Sequence, residues 1–138
     1  MSRTIKLVQL ALKVAELSDH RFSMGAVIAR GSRVISFGVN KYKTHPLQIN
    51  HHTGRLGGSI HAELDAILKA PYRYRKDSQM CIGRVLKDGS PGNARPCKNC
   101  CKLLSDSGIY IIAYSTSSGD VVKEDLRNGR KELEGSIF

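Results

Sequence analysis

SIHAELDAILKA, residues 59–70, reads as a helix with chemistry at its first turn. Ala62, Ala66, Leu68 and Ala70 give it good helical propensity, and Pro71 marks its end, so the pattern predicts a helix over about 60–70. His61 and Glu63 stand two positions apart, about 200° of helical rotation, and cannot share one regular face. In the first turn both can still reach toward the open end of the helix. A metal ligand and a carboxylate there, just after the flexible Leu56-Gly57-Gly58-Ser59, suit a metal that binds water and a base that takes its proton.

A partner for that turn lies downstream. Cys97 and Cys100 are separated by two residues at the start of a helical stretch read as Cys97 to about Ser107, closed by Gly108. Both sulfurs then point to one side, and the positive end of the helix dipole favours thiolates, the form a metal needs. Two thiolates and one imidazole make a three-ligand zinc set with the fourth position open, the pattern of catalytic rather than closed structural sites. Pro96 fits the first turn of such a helix, where its missing N–H costs nothing. Cys101 adjoins Cys100 and competes with it by spacing alone. Cys81 sits in an apolar strand and reads as a small core residue.

Outward from these segments, Ile5, Val8, Leu12 and Ala15 recur at helical intervals and predict a first helix over 4–18. SMGAVIA (23–29) and VISFGV (34–39) are apolar, β-branched runs joined by a Gly-containing hairpin turn. Residues 40–59 lack periodicity and read as a long loop, of the kind that carries function. SQMCIGRVL (78–86) and IYIIAYST (109–116) are further strands, and SSGD (117–120) turns tightly into VVKEDL (121–126), a short fifth strand. Alternating strands and helices predict an α/β fold: a three-layer α-β-α sandwich around a mixed five-stranded sheet. The hairpin makes strands 1 and 2 antiparallel, and crossovers through the second and third helices would give parallel neighbours. One domain spans 1–138, with 124–138 as a loosely packed tail.

The chain carries 22 Lys and Arg against 12 Asp and Glu, a formal charge of +10. That favours polyanionic or phosphorylated partners. No apolar run approaches the roughly 20 residues of a membrane span, which excludes a helical membrane protein. The N-terminal segment has no small-residue cleavage site and is broken by Lys13 and Glu16, so a cytoplasmic location is expected, or the host cytoplasm for a viral chain. Clustered cysteines in a reducing compartment suggest metal rather than disulfide.

His61-Ala62-Glu63 followed by Pro96-Cys97-Lys98-Asn99-Cys100 resembles the signature of the zinc-dependent cytidine deaminase superfamily. The resemblance covers roughly residues 4–123, and FGVN looks like that superfamily's substrate-contacting Gly-x-Asn at Gly38 and Asn40. It implies one zinc per chain held by His61, Cys97 and Cys100. A zinc hydroxide would attack C4 of cytosine, or C6 of adenine, with Glu63 protonating the ring nitrogen and helping ammonia leave. It also implies substrate contacts from Asn40, Ala62 and Pro96, with His45 on a gate loop, and a homodimer or homotetramer. The hairpin at SSGD looks like the one that makes strands 4 and 5 antiparallel in cytidine deaminases.

Relatives acting on free nucleosides typically place Glu two residues after that Asn. Here Lys41 and Tyr42 follow Asn40, and Lys41 and Lys43 suit a phosphate better than a sugar hydroxyl. The expected substrate is therefore a pyrimidine nucleotide of the CMP or dCMP type. Two alternatives stay open. One is deamination of cytosine or adenine in single-stranded DNA or RNA, encouraged by the charge and by PYRYRK (71–76), which could form a stacking platform. The other is a non-catalytic nucleic-acid-binding module with a structural zinc.

Overall fold

A computed structural model describes residues 2–18, 23–41 and 61–138. Helix α1 (Arg3–Ala15) is opened by Ser2, whose hydroxyl accepts the Ile5 N–H at 3.1 Å. The hairpin β1 (Ser23–Arg30) and β2 (Arg33–Val39) follows, then α2 (Ala62–Lys69), one 3-10 turn (Tyr72–Tyr74), β3 (Gln79–Val85) and β4 (Pro91–Gly92). The chain closes with α3 (Lys98–Asp106), β5 (Ile111–Ser115), β6 (Asp120–Asp125) and β7 (Lys131–Ser136). The strand order is β2-β1-β3-β5-β6-β7, with β4 pairing β3.

Glycines set how closely the helices approach the sheet. A Cβ on Gly25 would stand 2.2 Å from the Ala11 carbonyl oxygen in α1. On the opposite face, a Cβ on Gly38 would stand 2.3 Å from the Ala66 nitrogen and 2.5 Å from the Ala62 oxygen in α2. Alternation along the strands then sorts the core into two halves. Val27, Ala29, Cys81 and Ala113 pack with Val8 and Ala11 of α1, while Ala26, Ile28, Met80, Ile82 and Ile112 pack with Ala66, Ile67 and Leu104 of α2 and α3. The expected α-β-α sandwich results.

Three expectations are corrected. The sheet has seven strands rather than five. Pro91–Gly92 folds back onto Arg84 and Val85 through a turn at Gly89 (φ +85°). Residues 131–136, expected within a loose tail, pair antiparallel with β6 as β7, and Gln9 Nε2 donates to the Ile137 carbonyl at 2.7 Å. Their charged, outward-facing pattern suits an edge strand, which disguises them as tail in the sequence. Finally, the crossover through α2 carries the chain from β2 past β1, so β3 pairs antiparallel with β1. Only the crossover through α3 joins parallel neighbours, β3 and β5. The pair β5–β6 is antiparallel, as the SSGD turn predicts, with Gly119 at φ +83°. Among the described residues, no helix is long and apolar enough to cross a membrane.

Candidate metal centre and active site

His61 and Cys97 occupy equivalent places. Each is the residue that caps its helix, in extended backbone: φ −74°, ψ 153° before α2 and φ −69°, ψ 169° before α3. His61 thus lies just outside the helix while Glu63 sits in its first turn, which removes the conflict that 200° of regular helix would impose.

The Nδ1 atom of His61 stands 3.2 Å from the Cys100 sulfur and 3.7 Å from that of Cys97. Ligand atoms of the three residues all lie within 4.8 Å of one another, the one such group among the described residues. Nitrogen and sulfur ligands of a tetrahedral zinc ion would stand roughly 3.6 Å apart. Two soft sulfurs and an imidazole at these separations fit that ion. The sulfurs are not equivalent. A hydrogen bond with Cys100 draws the Cys97 thiol down to about 3, and the same contact, with burial, pushes Cys100 up. The Cys97 sulfur in turn raises His61.

Glu63 is 2% exposed, and burial pushes its carboxyl above the ordinary range. Its Oε1 is buried with no hydrogen-bond partner among the described residues, and its charge couples to His61 and to both sulfurs. A buried carboxyl coupled to this His–Cys–Cys group is suited to proton exchange.

The residues expected on the substrate side meet different fates. Asn40 is buried, and its Oδ1 accepts the Met24 N–H at 3.0 Å and lies 2.6 Å from the Ser18 hydroxyl, so the fold fixes its amide. Lys41 Nζ lies 3.1 Å from Asp65 Oδ1. Asp65 Oδ2 receives Lys69 at 3.0 Å and the Val39 N–H at 3.0 Å, pinning the end of β2 to α2. Burial opposes ionisation of Asp65, but Lys69, the Val39 N–H and Lys41 together hold it low. Ala62 is fully buried, with its backbone carbonyl close over Gly38. Pro96 is buried and precedes the capping residue, two places before the first helical residue rather than in the first turn. His45 lies outside the described residues.

Cys101 does not join the cluster: its thiol faces the Pro96 carbonyl at 3.7 Å. Cys81 is fully buried in the core, its thiol pushed up to about 12 by burial. Sequence reasoning missed Asp65. Its spacing to Lys69 was visible, but its ties to Val39 and Lys41 needed β2 beside α2.

Residues 1–116 match the family model described as the cytidine and deoxycytidylate deaminase zinc-binding region. No curated protein matches the chain. Among solved structures, the dCMP deaminase of cyanophage S-TIM5, in complex with dCMP and dUMP, is similar at 19% identity over 84% of each chain, with a TM-score of 0.57. Cytidine deaminase from Mycobacterium tuberculosis is 18% identical over 82% of this chain and 84% of that one, with a TM-score of 0.50. Acinetobacter baumannii RibD is 17% identical with a TM-score of 0.53, and 83% of this chain spans only 28% of that protein. At these identities the likeness is one of fold. The family match covers most of the sequence and contains both capping segments, and the chain belongs to the cytidine and deoxycytidylate deaminase zinc-binding family.

Proposed function

We propose that this protein is a zinc-dependent hydrolytic deaminase that converts the cytosine of a pyrimidine nucleotide, of the CMP or dCMP type, to uracil with release of ammonia. The observation that carries this reading is the convergence of His61, Cys97 and Cys100 on one point beside the buried carboxyl of Glu63. His61 Nδ1 and the two sulfurs would hold one zinc ion. When bound, zinc supplies Lewis acidity that brings the pKa of water to about 7.

Glu63 takes a proton from the attacking water and delivers it to the ring nitrogen next to C4. The oxygen–C4 bond forms, the C4–amine bond breaks, and a further proton passed through Glu63 lets the amine leave as ammonia. The raised carboxyl is matched to that shuttle, because it can hold the proton as well as release it. Asn40, Lys41, Ala62, Pro96 and His45 are assigned to the substrate side. Asp65 carries one charge against the two of Lys41 and Lys69, so the end of β2 stays cationic, as a phosphorylated substrate requires. The cyanophage dCMP deaminase of similar fold, in complex with dCMP and dUMP, supports the nucleotide reading.

The test is ammonia release from zinc-loaded protein given cytidine, CMP, dCMP, dCTP and cytosine- or adenine-containing oligonucleotides. Turnover of CMP or dCMP well above cytidine is expected. Release from oligonucleotides alone would replace this reading with editing of a single strand. Release from none would leave zinc a structural role.

A further inference from the structure

Two groups stand out among the described cations. Lys41, Lys69, Arg95, Arg127 and Lys131 each stand against a carboxylate. Arg30 and Arg33 at the tip of the β1–β2 hairpin, with Arg73, Arg75 and Lys76 beyond α2, make no ion pair among the described residues. Aromatic rings join three of this second group, Arg33, Arg73 and Arg75. The guanidinium groups of Arg33 and Arg73 lie 5.8 and 4.9 Å from the centre of the Tyr74 ring, and that of Arg75 lies 5.7 Å from Tyr72. The register agrees: Arg30 pairs Arg33, and Ala29 stands opposite Gln79, where β3 begins.

Beside them Tyr72, Arg73 and Lys76 meet Ser107, Gly108 and Tyr110 around an open cleft of about 330 Å³. Tyr72 is 81% exposed. Asp106 lines the cleft and Asp77 follows Lys76 in the adjoining turn, two acids beside the five cations. A wide-open aromatic ring flanked by unneutralised guanidinium groups offers stacking and phosphate contact together. A polyglutamate can use only the charge, and a duplex keeps its bases stacked on each other.

We infer that this face binds single-stranded nucleic acid, a base stacking on Tyr72 and phosphates held by Arg33, Arg73 and Lys76. It is separate from the metal cluster. His61 and Cys97 cap the N-terminal ends of α2 and α3, whereas Tyr72 follows the C-terminal end of α2 and Ser107 and Gly108 close α3. The eight residues of α2 put roughly 12 Å of helix between them. The face retains the protein on a polynucleotide, and this holds whether or not the cluster deaminates a nucleotide.

The experiment is fluorescence anisotropy with a labelled oligothymidylate and zinc-loaded protein, each variant first matched to the parent in melting temperature and zinc content. The variant Arg33→Ala/Arg73→Ala/Lys76→Ala should bind at least about tenfold more weakly, and the slope of log affinity against log salt should flatten by about two. Tyr72→Ala should weaken binding about fivefold or more with the salt slope unchanged, and Tyr72→Phe should restore it. Arg3→Ala/Lys6→Ala/Lys13→Ala, which removes the same charge from α1, should change little. Equal losses in the α1 variant, or equally tight binding of duplex or polyglutamate, would overturn the proposal. So would displacement of the oligonucleotide by saturating CMP, which would place the strand at the metal cluster.

Discussion

Arg95 and Glu124 meet through two parallel hydrogen bonds, Nε to Oε1 at 3.0 Å and Nη2 to Oε2 at 2.9 Å. Glu124 is 3% exposed and also accepts the Tyr114 hydroxyl at 3.1 Å. One residue earlier, the Ala94 N–H donates to the Ser115 carbonyl at 2.9 Å. The segment leading into Cys97 is therefore fastened at two successive positions to β5 and β6.

Arg95→Met or Glu124→Gln should lower stability by about 1–3 kcal/mol, the range for hydrogen bonds to charged groups, trimmed because the arginine is partly in water. Zinc affinity should fall by about 10–100-fold, the size seen when groups that orient ligands are removed. Chelator competition reads the second effect. Lower stability with unchanged zinc affinity would confine the pair to structural support.

The same pair predicts an acid dependence. Hydrogen bonds from Arg95 hold the Glu124 carboxyl below the usual carboxylate range. A depressed folded-state value contributes stability that is present above the unfolded value and lost as pH falls through the folded one. The parent should therefore lose more stability than Glu124→Gln between about pH 5 and pH 3. Parallel melting curves across that range would refute the assignment.

Glu63→Gln should retain zinc and lose deamination by at least about 10²–10⁴-fold, the usual contribution of a positioned acid–base group. Metal content and ammonia release, measured on one preparation, separate the two. Turnover equal to the parent would remove Glu63 from the mechanism.

Gly38→Ala should destabilise by about 1–3 kcal/mol, typical of overpacking. The new methyl would meet backbone atoms of Ala66 and Ala62, which cannot rotate away as a side chain could. Because Ala62 adjoins both His61 and Glu63, zinc content should drop as well. Calorimetry with metal analysis tests both, and an unchanged melting temperature would mean α2 sits farther from β2.

Removing zinc with a chelator should uncover Cys97, which is exposed, to an alkylating reagent, and returning zinc should protect it. Cys81, fully buried, should stay unlabelled in both forms. Mass spectrometry of the labelled peptides decides. Equal labelling of Cys97 with and without zinc would exclude it as a ligand.

Residue chemistry and local spacing determined much on their own. Periodicity located the three helices and most of the strands, and the SSGD turn gave the antiparallel β5–β6 pair, because these depend on neighbours within a few positions. The cluster of His61, Cys97 and Cys100 was legible for a related reason: each ligand motif sits at the start of its own helix. Tertiary structure alone decided the rest. Only when β1 lay between β2 and β3 did the crossover cease to give parallel neighbours, and only β6 could turn charged residues 131–136 into an edge strand. Asp65 found Lys41, and Arg95 found Glu124 across 29 positions, through a sheet whose order no local pattern encodes. Buried charges are settled by what the fold brings beside them, and so these two pairs could not be read from the chain.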